Sequence, residues 1–515
     1  MASTDHNPFN WQACWRLSLP AMVLAFVVRV LICIDLPEGY YGSDSNSYFE
    51  TAHELWNHGE FSMGAKRRGL YPLLLAAAPA LPGNTVQVMA VLQHGLAIAA
   101  LLGVGWVTGH LVRRRAFWVP LVTCIAAVLP QPLWYEHELI ADSLIVQSFI
   151  VAVALAFPTD RLRGKRLMWF LIAAAAIVAI KPHGRPLWLG LVGSAVLIAG
   201  NPLRWGWQCH AVLAATVAII LGTGSSKQGS WLLMSSALPL IDTQNGKWPE
   251  YRRAIDPLVQ EARQDLHNYP WRQGRFKKLV KDKNDPEAWK ESPEWLDLLS
   301  NAKQREFSKV AKYFAVEAIL KNPLTFSQFV FKKFGMVLSA EDVDAKFWPR
   351  RFWAEQKNRN ADRWTRDPKQ LELLYEMEAS EYFAMETKRA QIDRPLLRPR
   401  WLKHGAKLHW VEATLRPGAT YRQLALTWAG ALGLLGVCWS LWPAHFRRTS
   451  SLWLPCFIYL GLIYTVGDAV RRYLIPVEWL LVLFIALGIE WIIDLLLRIF
   501  RRRGDIPAMT PVPAQ

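Results

Sequence analysis

Three clusters of basic residues and a few carboxylates carry the chemistry that is legible in this chain. Lys66, Arg67 and Arg68 precede an apolar segment that starts at Tyr71-Pro72. Lys181, His183 and Arg185 crowd one short turn, and Arg471 and Arg472 stand in another, followed by Tyr473. Each cluster lies at the end of an apolar run, and all three are predicted on one face of a membrane. Guanidinium and ammonium groups gathered in a poorly hydrated place call for an anion, and a phosphate suits them. One such cluster would read as snorkelling to lipid head groups; three on one face favour an anion site. The carboxylates are Asp44, in Gly42-Ser43-Asp44-Ser45, and Glu136, Glu138 and Asp142, with His137 among them. A carboxylate beside a cationic phosphate site can take a proton from a hydroxyl. Taken alone, Asp44 reads as the N-cap of a helix expected over Tyr48–Leu55. Glu136 and Glu138 read equally well as solvated loop charges.

Such groups need a frame, and the composition says which kind. The 515 residues are 52% hydrophobic and 20% charged, with 26 Trp, 22 Phe and 14 Tyr. So many aromatic residues exclude a disordered chain. The gathering of apolar residues into runs of spanning length excludes a single soluble globule. Ten spans are predicted, near 17–35, 85–109, 116–134, 139–157, 167–181, 186–200, 208–223, 424–442, 452–467 and 473–497. The first reads as a retained span, with Arg16 before it and no small-residue cleavage site after it. Short basic loops follow every second span: Arg113 to Arg115, Arg161 to Arg166, Arg204, Arg447 with Arg448, and Arg498 to Arg503. These face the cytoplasm by the positive-inside rule, so both termini are expected there.

The net charge of +17 is thereby assigned to topology and anionic lipid, and no nucleic acid is expected. The chain divides into a seven-span module, 1–224, whose first outer loop is 36–84; an outer, mainly helical region, 225–423; three more spans, 424–500; and a tail, 501–515. Within the outer region, 303–340 alternates apolar and basic residues as helices on a membrane surface do. Cys14, Cys33, Cys124, Cys209, Cys438 and Cys456 lie in or beside apolar runs with no Cys-x-x-Cys or Cys/His spacing. They read as single buried thiols, and no metal ligand is predicted.

The residues also carry a resemblance. From Asp44 the chain reads Asp-Ser-x-x-Tyr-x-x-x-Ala-x-x-Leu, then Gly59-x-Phe61-Ser62, then Arg67-Arg68-x-x-Tyr71-Pro72-Leu-Leu-Leu-Ala. This resembles the first outer loop of the GT-C glycosyltransferases that use polyprenyl-phosphate sugars, among them protein O-mannosyltransferases and lipid A aminoarabinose and galacturonosyl transferases. Asp142-Ser143-Leu144, Lys181-Pro182 and Arg471-Arg472-Tyr473-x-x-Pro476 resemble later motifs of that group in the same order. The likeness covers the seven leading spans and the last two, but not 225–420.

The resemblance implies an α-helical polytopic membrane protein with a GT-C-like bundle of about ten transmembrane helices. It implies a bacterial inner membrane, an active site on the periplasmic face, and a sugar moved with inversion to a hydroxyl of a glycan, lipid or protein acceptor. Asp44 would be the base. Arg67, Arg68, Lys181, Arg185, Arg471 and Arg472 would hold the donor phosphate. Tyr71, Glu138, His137, Asp142, His183 and Tyr473 would line the donor or acceptor pocket. No cofactor is expected: many relatives carry Asp-Glu where this chain has Asp44-Ser45, and one carboxylate is a poor site for a divalent cation. A rival is a transporter or flippase of a lipid-linked or anionic solute, which predicts charges near the bilayer midplane and related halves. Another is an oligosaccharide ligase that uses a pyrophosphate-linked glycan.

Overall fold

The computed structural model describes residues 9–35, 45–58, 69–222, 233–264, 304–339, 428–466 and 474–502. Among them the chain is almost wholly helical, and no β-strand occurs. In chain order the helices are α1 (Trp11–Asp35), α2 (Ser45–His58), α3 (Leu70–Ala77), α4 (Thr85–Leu111), α5 (Arg115–Ala127) and α6 (Pro130–His137). There follow α7 (Asp142–Ala156), α8 (Gly164–Ile180), α9 (Arg185–Ala199) and α10 (Trp207–Gly222). The remainder are α11 (Pro249–Gln264), α12 (Gln304–Lys321), α13 (Pro323–Ser339), α14 (Trp428–Leu441), α15 (Pro443–Val466) and α16 (Ile475–Arg502). By length and composition, Trp11–Ile34, Thr85–Leu111 and Ile475–Phe500 can each cross a membrane, while five further apolar helices among the described residues are shorter, at 10–17 residues.

The helices run up and down as a bundle. α4 packs on α1, α5 and α7; α7 on α8; α8 on α9 and α10; α9 on α15; and α14 on α16. Their outward faces are apolar: α1 exposes Val23, Phe26 and Val27 while Ala21, Ala25 and Val28 face in. Burial of apolar surface cannot drive association between helices already in lipid, so close van der Waals fit must. At the α14–α16 contact a Cβ on Gly436 would run into the carbonyl of Phe484, so only glycine lets these backbones meet.

One end of the bundle is tied by basic residues. Arg114 pairs with Glu490 at 3.0 Å and Arg113 with Asp494 at 2.8 Å, joining the α4–α5 turn to α16. Arg166 donates to the Leu155 carbonyl, Arg447 to that of Ile198 and Arg448 to that of His110. These carbonyls belong to the C-terminal turns of α7, α9 and α4, where a cation satisfies both the orphan acceptor and the helix dipole.

Two boundaries differ from the sequence expectation. The span predicted over 116–134 breaks at Val128-Leu129, because Pro130 and Pro132 remove amide donors and disfavour helix at the preceding residue. The remainder becomes α6, which turns Glu136 and His137 into the bundle. The helix predicted as the ninth span starts at Pro443 rather than near 452, so Arg447 and Arg448 lie in a helix and not in a loop.

The described part of 225–423 forms a smaller core of its own. Tyr251, Ala254, Ile255, Leu258, Val259 and Ala262 recur at helical spacing on α11 and meet Val310, Ala311 and Phe314 of α12. Helix breaks fall at Asn322-Pro323, and Leu320, Leu324 and Phe331 face outward. Lys333 of α13 donates to Ser236 Oγ at 2.8 Å and to the Tyr464 carbonyl at 3.3 Å. That bond seats this core on the end of the bundle opposite Arg113 and Arg114.

Inside the small core, Arg252 is buried and pairs with Glu317 at 2.5 Å, while Lys321 reaches Glu317 from the other side at 3.1 Å. Burial alone would raise the Glu317 carboxyl, but the bonds from Arg252 and Lys321 outweigh it and hold the group below its ordinary value. A carboxylate whose folded value is depressed adds stability above its unfolded value, and that stability is lost as pH falls through the folded one. Glu317→Gln is expected to cost about 2 kcal/mol and to make 233–339 more readily cut by protease at neutral pH. Acidification should then cost the variant less than the parent; an equal loss in both would remove Glu317 from the account.

Candidate functional site

The end of the bundle away from Arg113 and Arg114 gathers buried polar groups. It is formed by the C-terminal ends of α1, α6 and α8 and the N-terminal ends of α4, α7, α9 and α16. Asn84 starts α4 by accepting from the Gln87 amide at 2.8 Å, an N-cap that fixes where the helix begins. Two turns on, Gln93 acts as a hub. Its Nε2 donates to the carbonyls of Glu136 and Glu138, both at 2.9 Å, and Tyr71 OH donates to its Oε1 at 3.3 Å. Tyr71 meets the Tyr48 ring edge to face at 5.0 Å, which sets α2 on α3. Both tyrosines are fully buried.

Asp142 is the first residue of α7, and Lys181 is the C-cap of α8. Lys181 Nζ donates to Asp142 Oδ2 at 2.7 Å, with both side chains almost wholly buried. Each charge also suits the helix end that carries it, anion at an N-terminus and cation at a C-terminus. The predicted phosphate ligand Lys181 is therefore held by the predicted pocket residue Asp142. Arg185 donates to the Ile220 carbonyl at 3.1 Å and so caps α10. His183 is exposed in the Pro182–Gly184 turn.

Gly69 fixes the path of the chain that follows Arg67-Arg68. It has φ +125°, and a Cβ there would lie 2.5 Å from the Ala179 carbonyl oxygen and 2.8 Å from that of Ile180. Only glycine tolerates both the conformation and the approach. The residue after Arg68 thus touches the backbone just before Lys181. Asp44, Arg67, Arg68, Arg471, Arg472 and Tyr473 lie outside the described residues. Their described neighbours Ser45, Gly69 and Leu474 all reach this end of the bundle, and Ser45 and Leu474 are buried.

A second network lies beneath the first and was not foreseen. Arg29 of α1 grips Glu136 in bidentate fashion, Nε to Oε2 at 2.8 Å and Nη2 to Oε1 at 2.9 Å. It also donates to the carbonyls of Ala25 and Ala127, each at 3.2 Å. His94 Nδ1 meets Glu136 Oε2 at 3.1 Å, and His94 Nε2 meets His137 Nδ1 at 2.9 Å. Glu136 and His137, read from sequence as residues of an outer loop, are buried inside the bundle. Arg29 sits within the first span, and an ionisable residue inside a span was the available signal.

A small cavity of roughly 30 Å³ opens beside this ion pair, lined also by Ser143, Gln147 and Trp479. Ser143 Oγ, Gln147 Oε1 and Trp479 Nε1 are buried and have no hydrogen-bond partner among the described residues. Ordered water commonly satisfies such atoms, and a space of this size holds about two.

The class defined by this fold and site is a helical protein of membrane type, with a buried polar centre at one end. Comparison with protein-family models, curated proteins and solved structures finds no match to the chain.

Proposed function

We propose that the protein is a membrane glycosyltransferase that moves a sugar from a polyprenyl-phosphate donor to an acceptor hydroxyl. The observation that carries this reading is convergence: Tyr71, Lys181, Asp142 and Glu138 meet at one end of the bundle, and so do Ser45, Gly69 and Leu474, the described residues that neighbour Asp44, Arg67-Arg68 and Arg471-Arg472 in sequence. The basic residues at the opposite end, Arg113, Arg114, Arg166, Arg447 and Arg448, support a cytoplasmic orientation for that end. The site then faces outward, on the periplasmic side of a bacterial inner membrane, in a GT-C-like bundle of about ten spans.

In this reading the donor's lipid tail stays in the bilayer, and its phosphate meets the cations of Arg67, Arg68, Arg471 and Arg472. Lys181, anchored by Asp142, adds a further cation at this end of the bundle. Neutralising the phosphate makes it a leaving group that needs no general acid. Asp44 takes the acceptor proton, and the hydroxyl attacks from the face opposite the departing phosphate, so the anomeric centre inverts. A transporter reading draws on one observation, the Arg29–Glu136 pair inside the bundle.

The test is release of polyprenyl phosphate by the purified full chain, given a polyprenyl-phosphate sugar and candidate acceptors. Charge-assisted contacts where water is excluded are worth roughly 1.5–3 kcal/mol. Arg472→Ala should therefore weaken donor use about tenfold to a hundredfold while the protein purifies normally. If Arg67→Ala, Lys181→Ala, Arg471→Ala and Arg472→Ala each keep full turnover, the anion site is wrong. Movement of an intact lipid-linked solute across vesicles, with no phosphate released, would support the transporter instead.

A further inference from the structure

We infer that Cys33, His94 and His137 form a transition-metal site that takes Zn²⁺. This does not rest on the sugar-transfer reading. The three residues come from α1, α4 and α6, and one ligand atom of each lies within 4.8 Å of the others. No local spacing joins them in sequence, which is why no zinc pattern appears there. Arg29 and Cys33 are four residues apart and share a face of α1. That face meets His94 on α4 and the Glu136-His137 pair at the end of α6.

The hydrogen bonds set the tautomers. Both oxygens of Glu136 accept from Arg29, and the further bond at Oε2 is one that His94 Nδ1 donates. His94 Nε2 then bears a lone pair, and in the metal-free protein it accepts from His137 Nδ1 at 2.9 Å. A metal replaces that proton. His137 moves its proton to Nε2, Cys33 releases one proton as it becomes a thiolate, and His94 keeps its proton on Nδ1. The chain Arg29–Glu136–His94 is the carboxylate–histidine support that orients a metal-bound imidazole and raises its basicity.

The donor set chooses the ion. One thiolate and two neutral imidazoles are too soft for Mg²⁺ or Ca²⁺ and suit Zn²⁺. Zinc bonds of about 2.3 Å to sulfur and 2.0–2.1 Å to nitrogen require Cys33 Sγ to close in by roughly 1 Å, while the two nitrogens, 2.9 Å apart, have to part slightly. Cys33 is only partly buried, so its side chain has room to turn. Three protein ligands leave a fourth position for water. Such an ion would lock α6 against α1 and α4, and with it the Glu136–Glu138 turn that Gln93 holds beneath Tyr71.

The experiment uses the full chain purified in detergent, stripped with a chelator and given Zn²⁺ or Co²⁺. One equivalent of Zn²⁺ is expected to bind. The Co²⁺ form should show the near-ultraviolet thiolate-to-cobalt charge-transfer band, and Cys33→Ser should lose it. Glu136→Gln should keep the stoichiometry and weaken affinity about 10–100-fold. The chain has 12 His, so imidazole-only binding elsewhere is separated by the thiolate band. A second measurement needs no variant: Zn²⁺, but not Mg²⁺, should slow alkylation of Cys33, followed on its own peptide by mass spectrometry. Alkylation indifferent to Zn²⁺, or a charge-transfer band that survives Cys33→Ser, overturns the site.

Discussion

Asp44→Asn is expected to leave the protein folded and the donor bound, and to cut sugar transfer about 10²–10⁴-fold, the usual loss when general-base help is removed. Asn has nearly the shape of Asp but cannot take a proton. Helix α2 starts at Ser45, directly after Asp44, and its residues Ser45 and Tyr48 are buried, Tyr48 against Tyr71. The start of this helix is thus fixed relative to the Gln93 hub. The bland role for Asp44 is the N-cap, which Asn fills as well as Asp does. The substitution therefore separates the two roles. It is read as initial rate of lipid-phosphate release, with donor affinity measured in parallel. Near-normal transfer by Asp44→Asn would move the base to Glu138 or to Asp142, one of whose oxygens Lys181 already holds.

The helical class was legible because long apolar runs leave few alternatives, although only three of the described helices are long and apolar enough to cross a membrane, and basic residues punctuate one end of the bundle. The Lys181 turn was legible too, since Pro182 stops α8 and the turn is only three residues long. Two things were hidden. One was the break at Val128-Leu129: Pro130 and Pro132 were visible, but an apolar run of full length masked their effect. The other followed from it. Once α6 folds inward, Glu136 and His137 leave the predicted outer loop and meet Arg29 and His94. Those four residues come from three separate helices, and periodicity along one helix says nothing about which residue of another it will meet. Arg29 was concealed differently, as one charge in a run otherwise apolar enough to count as a span.

Arg29→Met should be the most damaging single change to folding. It leaves Glu136 buried with its negative charge and only His94 to meet it, and stranding one member of a buried ion pair costs about 3–5 kcal/mol. Arg29 lies six residues before the end of α1, or about 9 Å along the axis, so water has little access from that end. Glu136→Gln alone should cost less, because Arg29 keeps the carbonyls of Ala25 and Ala127. Arg29→Met with Glu136→Gln should recover most of the loss, since the charges go together and the amide still offers an acceptor to His94 Nδ1. The double-mutant cycle, measured by reversible unfolding in mixed micelles, is expected to show a coupling of a few kcal/mol. Additivity to within about 0.5 kcal/mol would mean that the two residues are independent. In that case the ion pair would not be what holds α6 inside the bundle, and Pro130 and Pro132, with the Gln93 bonds to the α6–α7 turn, would have to do so alone.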